Sequence, residues 1–218
     1  MEFDKETIEL VMKKLASNNM KAFFCESKGD ALDLLKELIP EGSTVTHGGS
    51  VTISQVGADT LISNGNYNYL DRSKCETREE QQKLYRDSFF SDVYLTSANA
   101  VTANGELYNV DGNANRISCI AFGPKSVIVI VGVNKLVADI DEAVYRVKTI
   151  AAPKNAERLK LDTYCAHYGK CACLNAETPS LADGCHSPQR ICCSYLVSGQ
   201  QREKDRIKVI IVGEELGY

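Results

Sequence analysis

Apolar and polar positions alternate along the chain with two different periods, and these periods predict helices and strands in turn. Residues 6–18 place Ile8, Val11 and Leu15 on one face of a helix, as the spacing i, i+3 and i+7 requires. The same pattern predicts further helices at residues 27–39, 58–64, 77–90, 139–150 and 153–161. Short apolar or β-branched runs predict strands at residues 21–25, 44–46, 67–70, 92–96, 126–131, 191–197 and 207–212. Strands that alternate with helices predict an α/β fold with helices on both faces of a sheet.

Residues 99–110 carry the signature of a β-hairpin. A β-branched run ends at Asn104 and Gly105, and a second run begins at Leu107. Asn-Gly is the preferred centre of a two-residue type I′ turn, because that turn needs positive φ at both positions. We therefore expect two antiparallel strands joined by a type I′ turn at these two residues.

Composition and charge narrow the class of protein. The chain has 218 residues, of which 44 % are hydrophobic and 25 % charged, as in one ordinary globular domain spanning residues 1–218. The formal net charge of -4 argues against nucleic acid as a partner. The longest aliphatic run, residues 127–131, is far too short to cross a bilayer, and residues 1–6 lack the apolar core of a signal peptide. We therefore expect a cytoplasmic protein with no membrane partner.

His47-Gly48-Gly49-Ser50 follows a predicted strand and precedes a predicted helix. Ligands of open α/β sheets bind at such strand ends, and glycines let backbone N–H groups approach an anion. Ser50 is a candidate to bond a phosphate or carboxylate. The alternative is a tight turn with a capping serine, and the short motif does not choose between the two. His47 is equally consistent with a structural hydrogen bond and with catalysis.

Residues 99–116 are unusually polar for a connection between buried strands. Glu106 lies beside the predicted turn and is a candidate nucleophile or general base. Arg116 is a candidate to clamp a carboxylate or phosphate with two hydrogen bonds. The other candidate ligand-binding residues of the segment are Asn99, Asn104, Gly105 and Asp111. A hairpin with Asn and Asp in its turns and a surface arginine is the alternative, since loop polarity is only a correlation.

Six of the nine cysteines fall in one segment, residues 162–193, before the last predicted strands. In a reducing compartment such a cluster indicates metal binding or redox chemistry rather than disulfides. The segment contains no C-x2-C pair, so it is neither a zinc ribbon nor a ferredoxin motif. Four thiolates nevertheless suit zinc or an iron–sulfur cluster, and His167 and His186 are alternative ligands. Buried free cysteines that serve only packing are the alternative interpretation.

Taken together, the motifs resemble the LUD-domain family, the lactate-utilisation proteins formerly classed as a domain of unknown function. The resemblance lies in Gly48-Gly49-Ser50, in residues 92–100 and in residues 104–113, and it covers nearly the whole chain. Residues 165–171 and 185–192 match the cysteine motif of one branch of the family, and residues 212–218 match its ending. This match selects Cys165, Cys171, Cys185 and Cys192 as the metal ligands.

The resemblance implies a three-layer α/β/α sandwich like that of the phosphosugar isomerases and CoA transferases, with the cysteine-rich segment before its last strands. In CoA transferases a glutamate forms the thioester intermediate, and Glu106 occupies a comparable turn. The implied function is binding of a small anionic metabolite: a hydroxy acid, a sugar phosphate or a CoA-type ligand. The alternative is an accessory electron-transfer or structural component of a lactate-oxidation complex that carries zinc or an iron–sulfur cluster. Expected partners are a second copy of the chain or subunits of that complex, and the sequence leaves open whether the protein is an enzyme.

Overall fold

The computed structural model describes residues 4–177 and 180–218. The first three residues of the charged N-terminus and two residues of the cysteine-rich segment lie outside this part. In chain order, the strands are β1 Lys21–Cys25, β2 Thr44–His47, β3 Asn68–Tyr69, β4 Val93–Thr96, β5 Ala100–Thr102, β6 Leu107–Asp111, β7 Ser126–Gly132, β8 Leu136–Val137, β9 Ser194–Ser198 and β10 Ile207–Val212. Within the described residues they form a six-stranded parallel sheet, ordered β1-β10-β7-β4-β2-β3, and a four-stranded sheet, ordered β8-β5-β6-β9.

Helices precede and follow the strands of the larger sheet. They are α1 Lys5–Ser17, α2 Lys28–Leu38, α3 Val51–Val56, α4 Ala58–Asn64, α5 Arg78–Asp87, α6 Asn115–Ala121, α7 Ile140–Arg146, α8 Ala152–Arg158 and α9 Tyr164–Tyr168, with short 3-10 turns at Arg72–Lys74, Ser88–Phe90, Val133–Lys135 and Ala172–Asn175. Local sequence sets several of these boundaries. Ser27 and Asp30, for example, form a capping box at the start of α2. Among the described residues, no helix is both long and apolar enough to span a membrane.

The two faces of the six-stranded sheet belong to separate hydrophobic clusters. One face packs against α2, α3 and α4, with Ile128 and Ile130 of β7 pointing toward these helices. The other face packs against α1, α6 and the smaller sheet, with Val129 and Val131 of β7 on that side. Both faces are therefore buried, as the uninterrupted apolar run of β7 predicts. The observed fold is α/β with a mainly parallel sheet flanked by helices, which confirms the predicted fold class.

The hydrophobic pattern predicted three of the four strands of the smaller sheet, but not that they form a second sheet. Its strands β5 and β6 are the predicted hairpin, and β9 and the two-residue β8 add to its edges. A further cluster that includes Ala143 and Val147 of the α7 region covers its outer face. The layer on this side of the large sheet therefore contains the smaller sheet as well as helices.

The hairpin turn differs from the predicted type. Gly105 has φ +76°, whereas Asn104 is not among the residues with positive φ. The Gly105 N–H donates to the Thr102 carbonyl, and the Thr102 N–H donates to the Glu106 carbonyl, both at 2.9 Å. Three residues therefore form the loop, as in a type I turn followed by a left-handed glycine. The prediction of a two-residue type I′ turn is wrong because one extra residue lies in the loop.

The helix break that Pro153 predicts is absent. The chain passes from α7 through a π-helical turn, Val147–Ala151, directly into α8, which contains Pro153 in its first turn. Proline has no N–H and its ring collides with the preceding turn of a regular helix. The wider π turn relieves that collision, so the helical path continues.

Candidate ligand-binding site

A cavity of about 290 Å³ opens at the carboxyl ends of β2, β4 and β7. The three strands are neighbours in the parallel sheet, so the segments that follow them converge. Its lining includes Gly49 and Ser50 after β2, Asn99 after β4 and Lys135 after β7. Further lining residues are Asp111, Arg116, Arg72, Arg158, Gly217 and Tyr218. Five of the predicted ligand-binding residues, Gly49, Ser50, Asn99, Asp111 and Arg116, thus lie around one cavity.

The guanidinium of Arg116 is saturated by acceptors of the protein itself. Its acceptors, at 2.7 to 2.9 Å, are Oδ1 of Asp111, the main-chain carbonyls of Ser97 and Val110, and the side-chain oxygens of Asn99 and Asn109. A guanidinium carries five N–H donors, and all five are used in these bonds. In this structure Arg116 therefore holds the wall of the cavity in place and does not offer a free pair of donors to an anion.

Asp111 has a matching structural role. Its Oδ2 accepts hydrogen bonds from the backbone N–H groups of Arg116, at 2.9 Å, and Ile117, at 3.0 Å. These bonds satisfy two donors at the start of α6 that have no partner within the helix. The carboxylate thus fixes both the position of α6 and the side chain of Arg116.

Lys135 is the most unusual side chain of the cavity. It is only 3 % exposed, and in the part of the chain that the structure describes no carboxylate pairs with it. Its Nζ donates to Oγ1 of Thr52 at 2.9 Å and to Oγ of Ser97 at 3.0 Å. Burial, helped by the positive charges of Arg146 and Arg116, lowers the pKa of Lys135 to about 7. Charged and neutral forms of this amine therefore coexist near neutral pH.

Two exposed arginines add positive charge to the cavity. The Nη2 of Arg72 lies 3.0 Å from the point that a Cβ on Gly49 would occupy, so the absence of a side chain lets the guanidinium lie against the backbone. Arg158 donates from Nε to the hydroxyl of Tyr218 at 2.6 Å. Among the side chains of the described lining residues Asp111 alone is acidic, and Arg116 already neutralises it. The cavity is therefore cationic.

The glycine motif after β2 has mixed roles. Gly48 lies behind the cavity wall, because a Cβ there would be 2.9 Å from Oη of Tyr94 and 3.3 Å from Cδ of Arg116. Ser50 lines the cavity and also caps α3, where its Oγ accepts from the Ile53 N–H at 3.4 Å. The capping alternative for Ser50 therefore describes its bond in this structure, and contact with an anion stays a prediction.

His47 does not line this cavity. Its Nδ1 is 2.8 Å from the carbonyl of Gly48, and its Nε2 is 2.8 Å from the hydroxyl of Tyr69. Both ring nitrogens therefore have partners within the protein, as a structural histidine requires.

Asn104, Gly105 and Glu106 lie at the other end of the hairpin. β5 begins at the cavity and runs away from it, so the turn contacts α1 and the residues that follow it. The side chain of Asn18 donates to the carbonyl of Gly105 at 2.9 Å. The carboxylate of Glu106 accepts from Oγ1 of Thr102 at 2.7 Å. The structure does not bring these three predicted site residues to the cavity.

A second, much smaller cavity of about 20 Å³ lies beneath the cysteine-rich segment. Its lining includes all four predicted metal ligands, namely Cys165, Cys171, Cys185 and Cys192. Separate local elements bring them together: Cys165 is in α9, and Cys171 precedes a 3-10 turn. Cys193, by contrast, is exposed.

Cysteine thiolates are suitable ligands for soft metals, but the described thiols of this small cavity are not arranged as a metal site. Within residues 4–177 and 180–218, no three His, Cys, Asp or Glu side chains are arranged to hold a metal ion. Burial raises the pKa of Cys171 to about 11 and also raises that of Cys192, which disfavours the thiolate form of both. The Nζ of Lys148 donates to Sγ of Cys173 at 3.0 Å and to the carbonyl of Ser180 at 2.8 Å. Metal binding by these cysteines stays a prediction.

Lys135 is the main residue of the cavity at the strand ends that the sequence did not predict. It is the third residue after Gly132, which ends β7. The rule that ligands bind beyond the carboxyl ends of parallel strands applies to that position as it does to Gly49. A lone lysine after a buried strand resembles an ordinary turn residue, and its sequence context contains no signal of its burial.

The fold and the cavity define the class of the protein: an α/β protein with a ligand-sized pocket beyond the ends of its parallel strands. A family model described as the LUD domain matches residues 8–212. The chain belongs to the LUD-domain family, a family related to lactate utilisation, and the predicted family is thereby confirmed. No curated protein matches the chain.

Solved structures similar to this chain include a DUF162 family protein and a ribose 5-phosphate isomerase A. A DUF162 family protein from Deinococcus radiodurans has 13 % identity and a TM-score of 0.55, with 95 % of this chain and 97 % of that chain covered. The similarity shows that the two share a fold. Ribose 5-phosphate isomerase A from Methanocaldococcus jannaschii has 13 % identity and a TM-score of 0.34, with 90 % and 82 % covered.

Proposed function

We propose that this LUD-domain protein binds a small anionic metabolite in the cavity at the ends of β2, β4 and β7. The observation that carries the proposal is Lys135, a buried lysine that lines the cavity and has no carboxylate partner among the described residues. Burying a charged group without a partner is costly, and a bound anion removes that cost. Arg72 and Arg158 supply further positive charge at the more exposed part of the lining.

The chemical class of the ligand follows from the lining. Carboxylates and phosphates are the anions that arginine and lysine bind best in proteins. A volume of about 290 Å³ is close to the lower end of the range for small-molecule sites. Hydroxy acids and sugar phosphates fit this description, and of a CoA-type ligand the cavity would hold one end. We place this binding in a role related to lactate utilisation, in keeping with the family.

Thermal unfolding in the presence of single ligands tests the proposal. Lactate, a sugar phosphate and an acyl-CoA are added in turn to the wild-type protein and to the Lys135→Met variant. A ligand present at about 100 times its Kd stabilises the folded wild type by roughly 2.7 kcal/mol. The exposed Lys13→Met is the matched control and should keep the full shift. The absence of a shift with every ligand, or an equal shift in Lys135→Met, would refute the proposal.

We propose as a second candidate that Cys165, Cys171, Cys185 and Cys192 hold a metal. Support comes from the single small cavity that all four thiols line. Its volume of about 20 Å³ suits one ion better than a cluster of four irons. The nearby ammonium of Lys148 would offset part of the negative charge of bound thiolates. Zinc would make the site structural, because Zn²⁺ has no redox chemistry, whereas an iron–sulfur cluster would supply electron transfer to a dehydrogenase partner.

Metal analysis of anaerobically purified protein, together with its absorption spectrum, tests this second candidate. One equivalent of zinc without colour supports a structural site, and iron with visible absorption supports the electron-transfer role. Cys192→Ser should lower the metal content, whereas Cys193→Ser, which changes the adjacent exposed cysteine, should not. Wild-type protein without metal would refute the second candidate and leave the anion site unaffected.

A further inference from the structure

We propose that Lys135 is a nucleophile that forms an imine with a carbonyl compound bound in the cavity, the compound also carrying a carboxylate or phosphate. This inference rests on the proposed function, because it assigns a substrate class and a chemical role to the same site. In the proposed function Lys135 is a fixed positive charge, whereas in this inference it is the reacting group.

The hydrogen bonds around Nζ are those that a neutral amine needs. Thr52 Oγ1 donates to the carbonyl of Leu216 at 3.4 Å, and Ser97 Oγ donates to the carbonyl of Ala98 at 3.3 Å. Because each hydroxyl hydrogen points to a carbonyl, both hydroxyl oxygens present lone pairs to Nζ. A neutral amine has two hydrogens, and these two acceptors use both of them. The nitrogen lone pair is then left for the cavity that Lys135 lines.

The charges that face Lys135 favour the neutral form. Arg146 of α7 and Arg116 of α6 are close enough for their positive charges to lower the pKa of Lys135. Arg146 is fixed there, since it donates to the carbonyls of Asn99 at 2.8 Å and Asn134 at 3.1 Å. Asp111, which is the one acidic side chain among the described lining residues, is paired with Arg116. An ordinary lysine, with a pKa near 10.4, is neutral in only about one molecule in 10³ at pH 7, whereas burial and the two arginines shift the Lys135 amine toward its neutral form.

The reaction balances without any further reagent. The Nζ lone pair forms a bond to the carbonyl carbon, and the π electrons of the C=O bond move to oxygen, which takes up one of the two nitrogen protons. The resulting carbinolamine loses that hydroxyl together with the remaining nitrogen proton as water, so that an imine forms. Before the reaction, Ser97 and Thr52 accept hydrogen bonds from Nζ and so hold the amine in place for attack. Arg72 and Arg158 provide the positive charge for the carboxylate or phosphate of the same molecule.

Reductive trapping of the wild-type protein tests the inference. Pyruvate, as a carboxylate, and ribose 5-phosphate, as a phosphate, are incubated separately with the protein and sodium cyanoborohydride near pH 7. Intact mass measures the number of reduced adducts, and peptide mapping locates them. We expect one adduct on Lys135, formed at least about tenfold faster than adducts on the exposed Lys13 and Lys154. The arm that labels faster identifies the anionic group.

The outcomes separate this inference from the proposed function. Adducts spread over exposed lysines, with Lys135 unmodified, would overturn the inference. Thermal stabilisation by either probe without an adduct on Lys135 would also overturn it, while leaving anion binding intact. No stabilisation by any anion and no adduct would overturn both. Because peptide mapping is done on the wild type, these outcomes do not depend on whether a Lys135 variant folds, and Lys135→Arg, which keeps the charge, serves as an additional unreactive control.

Discussion

The carboxylate of Asp111 accepts the Nε–H of Arg116 at 2.9 Å, and both side chains are largely withdrawn from water, with 9 % and 14 % of their surfaces exposed. The same carboxylate caps α6, and the remaining donors of Arg116 reach Ser97, Asn99 and the end of β6. One ion pair therefore joins the helix, the hairpin and the strand end that build the cavity. Its role is to hold the site in place.

Removal of Arg116 should consequently destabilise the whole protein. Arg116→Ala leaves Asp111 buried without its partner and frees four further acceptors, so the free energy of unfolding should fall by about 3–5 kcal/mol. Arg116→Lys should recover only part of the loss, because an ammonium cannot reproduce the five-donor fork. Urea unfolding measures both changes.

The exposed pair between Lys125 and Asp92 is the matched control for Arg116. Its Nζ–Oδ1 distance is 2.8 Å, but the lysine side chain is 80 % exposed. Lys125→Ala should cost less than about 1 kcal/mol, since water and salt screen such pairs. A similarly small loss in Arg116→Ala, together with weaker ligand binding, would show instead that Arg116 serves the ligand.

The free energy of unfolding should depend on pH because of the lowered pKa of Lys135. Its folded-state pKa is lowered to about 7 from the ordinary value of 10.5. Between these two pH values the unfolded state binds more protons at this residue than the folded state, so the free energy of unfolding rises with pH. The penalty is fully present below pH 7 and is lost as pH rises toward 10.5, with a total of roughly 2–5 kcal/mol.

Urea unfolding between pH 6 and about 10, in wild type and Lys135→Met, isolates this contribution. The difference between the two should shrink as pH rises, because only the wild type carries the buried amine. Lys13→Met, on the exposed face of α1, should follow the wild-type curve. Parallel curves for wild type and Lys135→Met would mean that the amine keeps an ordinary pKa.

Gly132→Ala should weaken ligand binding indirectly, because it displaces residues that line the cavity. A Cβ at this end of β7 would lie 2.5 Å from the carbonyl oxygen of Glu214 and 2.5 Å from the nitrogen of Leu216. Both are backbone atoms, so the residues that follow β10 must move, and Gly217 with Tyr218 lines the cavity. We expect a loss of about 1–3 kcal/mol of stability and a smaller ligand-induced thermal shift.

Gly199→Ala is the control for Gly132→Ala. No heavy atom lies within 4 Å of its added Cβ, so stability and ligand shift should stay near wild type. An unchanged ligand shift in Gly132→Ala would show that the chain end contributes nothing to binding.

The spacing of apolar residues was enough to predict the strands and helices of the large sheet, because burial of particular faces determines that spacing. β1 Lys21–Cys25 and β10 Ile207–Val212 have the predicted bounds. The two-residue β8 carries too few positions for any period to be read. Likewise, the turn type at Asn104 depends on the pairing of β5 with β6, which is a tertiary property.

The candidate site was predicted in part, for a similar reason. The strand-end motif located Gly49, because parallel strands end together, and the polar density of residues 99–116 located Asn99. Glu106 and Arg116 are only ten positions apart in the sequence. In the structure Glu106 lies at the turn end of the hairpin and Arg116 lies near its other end. Whether Arg116 has free donors, or Lys135 is buried, depends on side chains that are distant in the sequence. Such properties follow from packing and not from a local motif.

That separation yields a prediction for Glu106. Glu106→Gln should leave ligand-induced stabilisation unchanged, because the residue lies in the hairpin turn away from the cavity and its new amide oxygen can still accept from Thr102 Oγ1. Stability should change by less than about 1 kcal/mol, as for a neutral replacement of a partly exposed hydrogen bond. Thermal shift with the same anions as above, beside Lys135→Met, measures the contrast. Loss of the ligand shift in Glu106→Gln at unchanged stability would restore this carboxylate as a functional group, and would require a second ligand site at the turn end of the hairpin.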